Sequence, residues 1–447
     1  MTRLVLLCLP FVISALLAAE KPNFLIIYTD DQGYGDTSMY GKKGIETPNM
    51  DRIAKEGMLF TRMRANCTVC TPSRAALITG IYADRAGAPG VIRNERSRSW
   101  GYLSPEVTTI ADELNTLGYH TALVGKWHLG TAAPNIPNDR GFAFFHGFLG
   151  DMMNDYYHHK RGGVNWLRKN KEVVEENGTH ATNLFTNWAD AYLKDRSTKK
   201  DEPFFLFLAY NAPHFPIQPP KEWVEKVKKR EPSMSEERVQ AVAFVEHTDE
   251  QIGRILKSLE DYDLADNTVV FFTSDNGGSS PHFQENDPWR GGKQDHYDGG
   301  LRVPFAVRWP GTIKAGAKSD YQGLTFDIFP TCIESAGGKP REDLDAVSLL
   351  PLLKGEDFST PDRELYFVRR DGGGDRVGMA YHALIKDGYK LMHNSPMSGL
   401  ELYNLKQDPL ETTDIFKKEP QRAQRMITRM ERHIQRGGMT PWMGPEQ

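Results

Sequence analysis

Two pairs of oxygen donors stand out in the chain, Asp30-Asp31 and Asp275-Asn276. Carboxylates and an amide oxygen suit a hard divalent cation, calcium or magnesium, better than zinc, and a cation relieves the repulsion between adjacent carboxylates. Taken singly, such a pair can equally cap a helix or solvate a loop. Two pairs, each directly after an apolar run, favour the metal. A cysteine offers different chemistry. Cys70-Thr71-Pro72-Ser73-Arg74 precedes Ala75-Ala76-Leu77-Ile78-Thr79-Gly80, and Pro72 suits the first turn of a helix. Cys70 is therefore expected at a helix N-terminus, where unpaired N–H groups and the dipole favour an anion. It is a candidate nucleophilic thiol or, on the plainer reading, a small buried side chain. Cys67, three residues earlier, also admits a redox pair or half of a metal site, although no second cysteine pair completes the latter. Gly125-Lys126-Trp127-His128-Leu129-Gly130 and Asn211-Ala212-Pro213-His214 add a lysine and two histidines, again just after apolar runs.

Strands must position these groups. Four short runs, residues 23–28, 121–124, 204–208 and 268–272, are rich in β-branched or aromatic residues and give way to polar residues and glycine. Continuous rather than alternating apolar character predicts strands buried on both faces, as in parallel sheets covered by helices. Thr47-Pro48 reads as a cap and first-turn proline with Gly57 as the stop, and residues 108–117 form a second helix closed by Gly118. Val242, Val245, Ile252, Ile255, Leu256 and Leu259 share one face of a long third helix. The fold class is α/β: a large domain with a mostly parallel central sheet flanked by helices. Ligands in such sheets bind beyond the carboxyl ends of the strands, so the carboxylates, the amide, Lys126, His128 and His214 are expected on one rim. After about residue 355, shorter strands such as residues 380–385 and a last helix around residues 426–434 predict a smaller C-terminal α+β subdomain.

The chain of 447 residues is 39% hydrophobic and 26% charged, which excludes a disordered, collagenous or coiled-coil protein. Its 55 Lys and Arg against 59 Asp and Glu leave a formal net charge of -4, so no global basic field draws it to nucleic acid. Four cysteines are too few for a disulfide scaffold. Residues 1–19 read as a signal peptide: Arg3, an apolar stretch over residues 4–17 too short for a comfortable membrane span, then Ala18-Ala19 before Glu20. The alternatives are an uncleaved anchor or a lipoprotein acylated at Cys8, for which Leu7 is a poor context. No other stretch is apolar enough to cross a bilayer. A secreted or periplasmic protein without a membrane span in the mature chain is expected, in a lysosome-type compartment if the source is eukaryotic. Asn66-Cys67-Thr68 and Asn177-Gly178-Thr179 are sequons that matter only in a glycosylating host.

Together these motifs resemble the type I sulfatases of the alkaline phosphatase superfamily. The resemblance runs in the family's order through nearly all of the mature chain. It covers Thr47-Pro48-Asn49-Met50-Asp51-Arg52, the Cys70 to Arg74 motif with Thr79-Gly80, the Lys126-Trp127-His128 motif, Ala212-Pro213-His214 and Ser274-Asp275-Asn276-Gly277. It continues through Arg290-Gly291-Gly292-Lys293 and Gly299-Gly300-Leu301-Arg302-Val303-Pro304 to Glu401-Leu402-Tyr403-Asn404-Leu405 with Asp408-Pro409. It implies an alkaline-phosphatase-like fold, residues 20–354 as the catalytic domain and residues 355–447 as the C-terminal subdomain. The implied activity is hydrolysis of sulfate monoesters, on a sulfated carbohydrate or a small sulfate ester.

Carried over by the resemblance, Asp30, Asp31, Asp275 and Asn276 are ligands of one calcium ion in preference to magnesium, joined by an oxygen of residue 70. Cys70 is converted to formylglycine by a separate maturation enzyme, and a hydroxyl of the hydrated aldehyde attacks sulfur. The sulfated hydrate then collapses and releases sulfate, which an ordinary serine ester cannot do. Arg74 and Lys126 hold the hydrate and the sulfate oxygens, and Lys293 grips sulfate beside the leaving oxygen. His214 protonates that oxygen, and His128 takes the proton that triggers collapse. Gln294-Asp295-His296 departs from the Gly and Ser or Thr common after this lysine, so the local loop is expected to differ. Residues 151–161 and 369–376 are expected to line the sugar pocket, with His158, His159 and Arg370 as substrate contacts; a pair of solvated surface loops is the alternative. Asp36 reads as a turn residue and His247 as a surface or supporting group. A phosphatase or phosphodiesterase of the same superfamily would use a hydroxyl nucleophile and two zinc ions, against which Asn276 and the Cys70 context stand. A glycan-binding relative never modified at Cys70 is the rival from another class, although every catalytic position is filled.

Overall fold

The apolar runs form the middle of one sheet. In chain order β1 is Asn23–Thr29, β2 His120–Lys126, β3 Phe144–Phe148, β4 Phe204–Ala209 and β5 Thr268–Ser274. These lie side by side as β5-β1-β4-β2-β3, all parallel, within a ten-stranded sheet whose remaining strands include antiparallel ones on both flanks. The computed structural model describes residues 21–94, 98–359, 362–371, 379–395 and 397–444. The expected signal peptide and residues 372–376 of the glycine-rich loop lie outside that set.

Both faces of the central strands are buried, which is why their sequences do not alternate in polarity. Phe24, Ile26 and Tyr28 enter one apolar layer and Leu25 and Ile27 the other, and β4 and β5 divide in the same way. Each such side chain removed from water contributes about 1.5–3 kcal/mol. Helices cover both layers: α2 (Cys70–Thr79) and α3 (Ile110–Thr116) on one face, α1 (Pro48–Glu56), α4 (Ala181–Ser197) and α5 (Glu236–Asp261) on the other. All six apolar positions read along α5 are buried. Gly125 has φ +107 inside β2, and a Cβ there would run into the Ala209 carbonyl of β4, so only glycine lets Lys126 reach the strand end.

The start of α1 departs from the expected cap. Thr47 makes no capping bond to α1. Asp249 of α5 reaches across instead and accepts the Asn49 and Met50 N–H groups at 3.1 and 2.8 Å. A carboxylate from a neighbouring helix thus occupies the positive end of α1. Burial nevertheless pushes Asp249 up to about 7.

A second sheet is antiparallel, in the order β6 (Leu365–Asp371), β7 (Met379–Lys386), β8 (Tyr389–His393) and β9 (Glu401–Asn404). Helix α6 (Pro420–Gly437) packs Ala423, Met426 and Met430 into its apolar cluster. The two sheets are joined through Asp298. Its buried carboxylate accepts Arg64 Nε and Nη2 (2.9 and 2.6 Å), Arg302 Nε (2.8 Å) and, from β8, Lys390 Nζ (3.0 Å); its N–H donates to Glu411 (2.6 Å). Burial alone would raise Asp298, but Arg64, Lys390 and Arg302 hold it well below the carboxylate range. Among the described residues no helix is long and apolar enough to cross a membrane.

Candidate active site

The site grows out of strand register. Pairing of Thr29 with Ser274 ends β1 and β5 level, so Asp30-Asp31 and Asp275-Asn276 leave the sheet side by side. All four side chains are buried, and Asp31 turns through a left-handed φ of 66 that lets its N–H donate to Asp275 Oδ1 at 3.0 Å. Asn276 Nδ2 donates to Asp31 Oδ1 at 2.9 Å. Cys70, the first residue of α2, places its thiol 3.3 Å from Asp30 Oδ1 and 3.9 Å from Asp31 Oδ1.

Three cations close around these anions. Arg74, one turn along α2 from Cys70, donates Nε and Nη2 to Asp275 Oδ2 (3.1 and 2.9 Å) and Nη1 to the Lys126 carbonyl (3.3 Å). Lys126, at the end of β2, pairs with Asp30 Oδ2. Lys293 Nζ lies 2.6 Å from Asp31 Oδ1 and 3.7 Å from the Cys70 sulfur. Against the effect of burial, Lys293 and His214 hold Asp31 below the usual carboxylate range. Asp275 moves the other way: burial and then the neighbouring Asp30 charge push it up to about 7, despite Arg74.

The two histidines face the cluster with different atoms. His214 Nδ1 donates to the Phe215 carbonyl at 2.6 Å, leaving Nε2 turned to Asp31 Oδ2 at 3.6 Å. Burial, followed by Lys293, lowers its pKa to about 3. His128 has φ +61, and its Nε2 donates to the Ile92 carbonyl at 3.0 Å, so its buried Nδ1 keeps a lone pair without a hydrogen-bond partner among the described residues. Burial and then Lys126 and Arg74 keep this ring neutral.

An oxygen-rich donor set suits a hard cation. Ligand atoms of Asp30, Asp31, Cys70 and His214 all lie within 4.8 Å of one another, and Asn276 Oδ1 is buried with no hydrogen-bond partner among the described residues. An orphaned amide oxygen beside three carboxylates fits a cation contacting Asp30, Asp31, Asp275 and Asn276. The thiol reading of Cys70 fares worse. Burial, then the Asp275 and Asp30 charges, raise its pKa well above the ordinary value against the pull of the helix N-terminus, so with no cation on those carboxylates an unmodified thiol stays protonated and is a poor nucleophile. Cys67 points elsewhere, its sulfur donating to the Val368 carbonyl of β6 at 3.2 Å, and it forms no disulfide.

The sugar-pocket residues divide. His159 is fully buried, with both ring nitrogens bonded to the Glu176 and Thr179 carbonyls (3.1 and 2.8 Å); it ties its loop to the segment before α4 and leaves neither nitrogen open. His158 is exposed and paired with Asp155 at 2.8 Å. Arg370 lies over the Trp442 ring, 4.9 Å from its centroid, and its N–H bonds Pro89. Asp36 closes a turn, its N–H donating to the Gly33 carbonyl at 3.0 Å, but its side chain does more: it is fully buried, 2.6 Å from Arg238 of α5, and accepts the Glu285 N–H at 3.0 Å, tying the loop after Asp31 to the loop before Lys293. His247 is buried against His180 rather than on the surface. Asn66 of the first sequon is buried with its amide bonded to Ser73, whereas Asn177 is exposed. Thr71 escaped sequence reading; its hydroxyl donates to the His128 carbonyl and accepts the Ile92 N–H (3.2 and 3.1 Å). A hydroxyl next to the cysteine was the only signal for it.

A mostly parallel sheet whose strand ends gather three carboxylates, an amide, a helix-terminal cysteine and three cations defines a hydrolase of the alkaline-phosphatase-like fold. The chain belongs to the sulfatase family: residues 22–338 match the model described as Sulfatase, and residues 292–437 the one described as N-sulphoglucosamine sulphohydrolase, C-terminal. It is a sulfuric ester hydrolase. N-acetylgalactosamine-6-sulfatase of Homo sapiens is 33% identical over 377 residues, covering 79% of this chain and 69% of the relative. A sulfatase of Formosa agariphila is 30% identical over 478 residues, covering 90% and 86%. The crystal structure of Ps i-CgsB in complex with k-i-k-neocarrahexaose has a TM-score of 0.82 at 30% identity, covering 93% of this chain and 92% of that one.

Proposed function

We propose that the protein hydrolyses a sulfate monoester on a sulfated carbohydrate, with residue 70 matured to formylglycine by a separate enzyme and one calcium ion bound by Asp30, Asp31, Asp275 and Asn276. The observation that carries this reading is the Cys70 side chain, lodged between Asp30 and Lys293 at the mouth of the carboxylate cluster. The carbohydrate assignment is supported by the relatives, one named for N-acetylgalactosamine 6-sulfate and one solved with a neocarrahexaose. When present, the formylglycine hydrate supplies a hydroxyl nucleophile and the cation supplies positive charge to the sulfuryl oxygens.

The chain's own residues supply the rest. Lys126, Lys293 and Arg74 bring three positive charges to a water-poor pocket where negative charge spreads over sulfur's oxygens in the transition state. They are held ready by Asp30, Asp31 and Asp275, so little reorganisation accompanies the reaction. His214 Nε2 faces the leaving oxygen; in the free site the ring is neutral with its proton on Nδ1, so His214 acts as the acid once the ring takes up a second proton in the substrate complex. His128 Nδ1 offers the lone pair that takes a proton from residue 70. His158 and Arg370 belong to the sugar side of the site, and the division of the chain near residue 355 and its export by a signal peptide are part of the same reading.

The test is sulfate release from sulfated mono- and oligosaccharides and an aryl sulfate, with the maturation of residue 70 measured by mass spectrometry and Cys70→Ala beside it. Release lost in Cys70→Ala is expected. An intact aldehyde with no ester cleaved would overturn the assignment.

A further inference from the structure

His128 is gripped from two sides, and both grips continue into charged residues that hydrolysis of a lone sulfate does not use. Its ring bonds the Ile92 carbonyl, and its N–H donates to the Leu149 carbonyl at 3.3 Å. One residue beyond Ile92 stands Arg93; two beyond Leu149 stands Asp151. These two meet, with Arg93 Nη1 donating to Asp151 Oδ2 at 3.0 Å. Arg161 binds the same carboxylate, with Nε 3.0 Å from Oδ1 and Nη2 3.4 Å from Oδ2. Asp151 also accepts the Met152 N–H at 2.9 Å, and its side chain is 4% exposed, against 40% for Arg93 and 28% for Arg161.

One buried carboxylate therefore orients two partly exposed guanidinium groups and is outnumbered by them. Arg93 Nε and Nη2 and Arg161 Nη1 have no acceptor among the described residues. The cluster is within electrostatic reach of the reaction centre: after burial, Lys126 and Arg74, the Arg93 charge helps keep His128 neutral. Against burial, Arg161, Arg93 and Lys126 hold Asp151 ionised. A planar guanidinium with free N–H groups matches the paired oxygens of a sulfate or a carboxylate.

We propose that Arg93 and Arg161, oriented by Asp151, form a second oxyanion subsite for a further sulfate or carboxylate on the sugar bearing the scissile ester or on its neighbour. This rests on the sulfatase reading above and narrows its substrates to multiply charged glycans.

The test compares kcat/KM of the matured enzyme on four probes: nitrophenyl sulfate, a monosulfated hexosamine, the same sugar with a second sulfate, and the same sugar joined to a hexuronic acid. Wild type is expected to prefer one of the two doubly charged sugars, and which one identifies the anion as sulfate or carboxylate. Arg93→Gln and Arg161→Gln are each expected to lower kcat/KM on that sugar about 10- to 100-fold more than on the monosulfated one, chiefly through KM, with Arg93→Lys recovering part of the difference. No wild-type preference, or parallel losses on all sugars, overturns the subsite while leaving the sulfatase intact. No turnover of any probe overturns both. Arg93 is the most exposed member of the cluster, so its substitution keeps the test open even where Asp151→Asn fails to fold.

Discussion

Replacing His214 by alanine separates protonation of the leaving group from binding of sulfate. The side chain makes one hydrogen bond to protein, from Nδ1 to the Phe215 carbonyl. Its loss costs about 1 kcal/mol of stability, too little to unfold the chain. Nε2 is the atom facing the reaction side, and no protein acceptor binds it. If it delivers the proton to the leaving oxygen, its removal lowers kcat on a sugar sulfate about 10²- to 10⁴-fold, or about 2.7–5.4 kcal/mol of barrier. A nitrophenolate leaves without a proton because its charge is delocalised, so the loss on nitrophenyl sulfate should stay under about 10-fold. Both rates are measured on one preparation, by sulfate release and by absorbance, with the aldehyde content of residue 70 matched between variant and wild type. Equal losses on the two esters would refute the reasoning and assign His214 to holding the sulfate.

Chelation with EDTA should lower Tm, and calcium should restore it better than magnesium; a cation at 100 times its Kd adds about 2.7 kcal/mol, and an unchanged Tm would count against a bound metal. Asp36→Ala leaves Arg238 without its 2.6 Å partner and should cost about 3 kcal/mol in a urea unfolding curve. The buried rings of His180, His247 and His382 have pKa values lowered by burial to about 4, 3 and 4. The unfolded chain takes up these protons near pH 6.5 and the folded one resists, so stability is full above pH 6.5 and falls as the pH drops toward 4, by roughly 1.4 kcal/mol per ring per pH unit. A Tm that stays flat from pH 7 to 4 would contradict that.

The sheet was legible because its five central strands lie between two apolar layers, which leaves no polar alternation to read. Of these, Phe144–Phe148 escaped notice, since His146 and Gly147 interrupt its apolar run. The cluster at the strand ends was legible for the same reason: once β1 and β5 are neighbours, Asp30 and Asp275 must be. Long-range partners were not. Nothing near Asp36 in sequence announces Arg238, 202 positions away, and a buried ion pair looks like two surface charges until the chain is folded. His159 misled because a polar ring in a polar loop reads as exposed, whereas its two nitrogens satisfy carbonyls of the segment before α4, 17 and 20 positions on. Cys70 showed the opposite limit: helix position alone argued for a thiolate, and the neighbouring carboxylates, invisible as neighbours in sequence, reverse that.

The Asp298 junction bears on how this chain can be divided. Asp298 lies five residues past Lys293; its charge is balanced in part by Lys390 of the smaller sheet, and its N–H is held by Glu411 in the loop after β9. A truncation before residue 365 would strip away Lys390 and Glu411 and loosen the very segment that presents Lys293 to the reaction. The small sheet is thus a distant brace for one side chain, and a graft of the large domain onto another protein must carry it along or rebuild that junction from other charges.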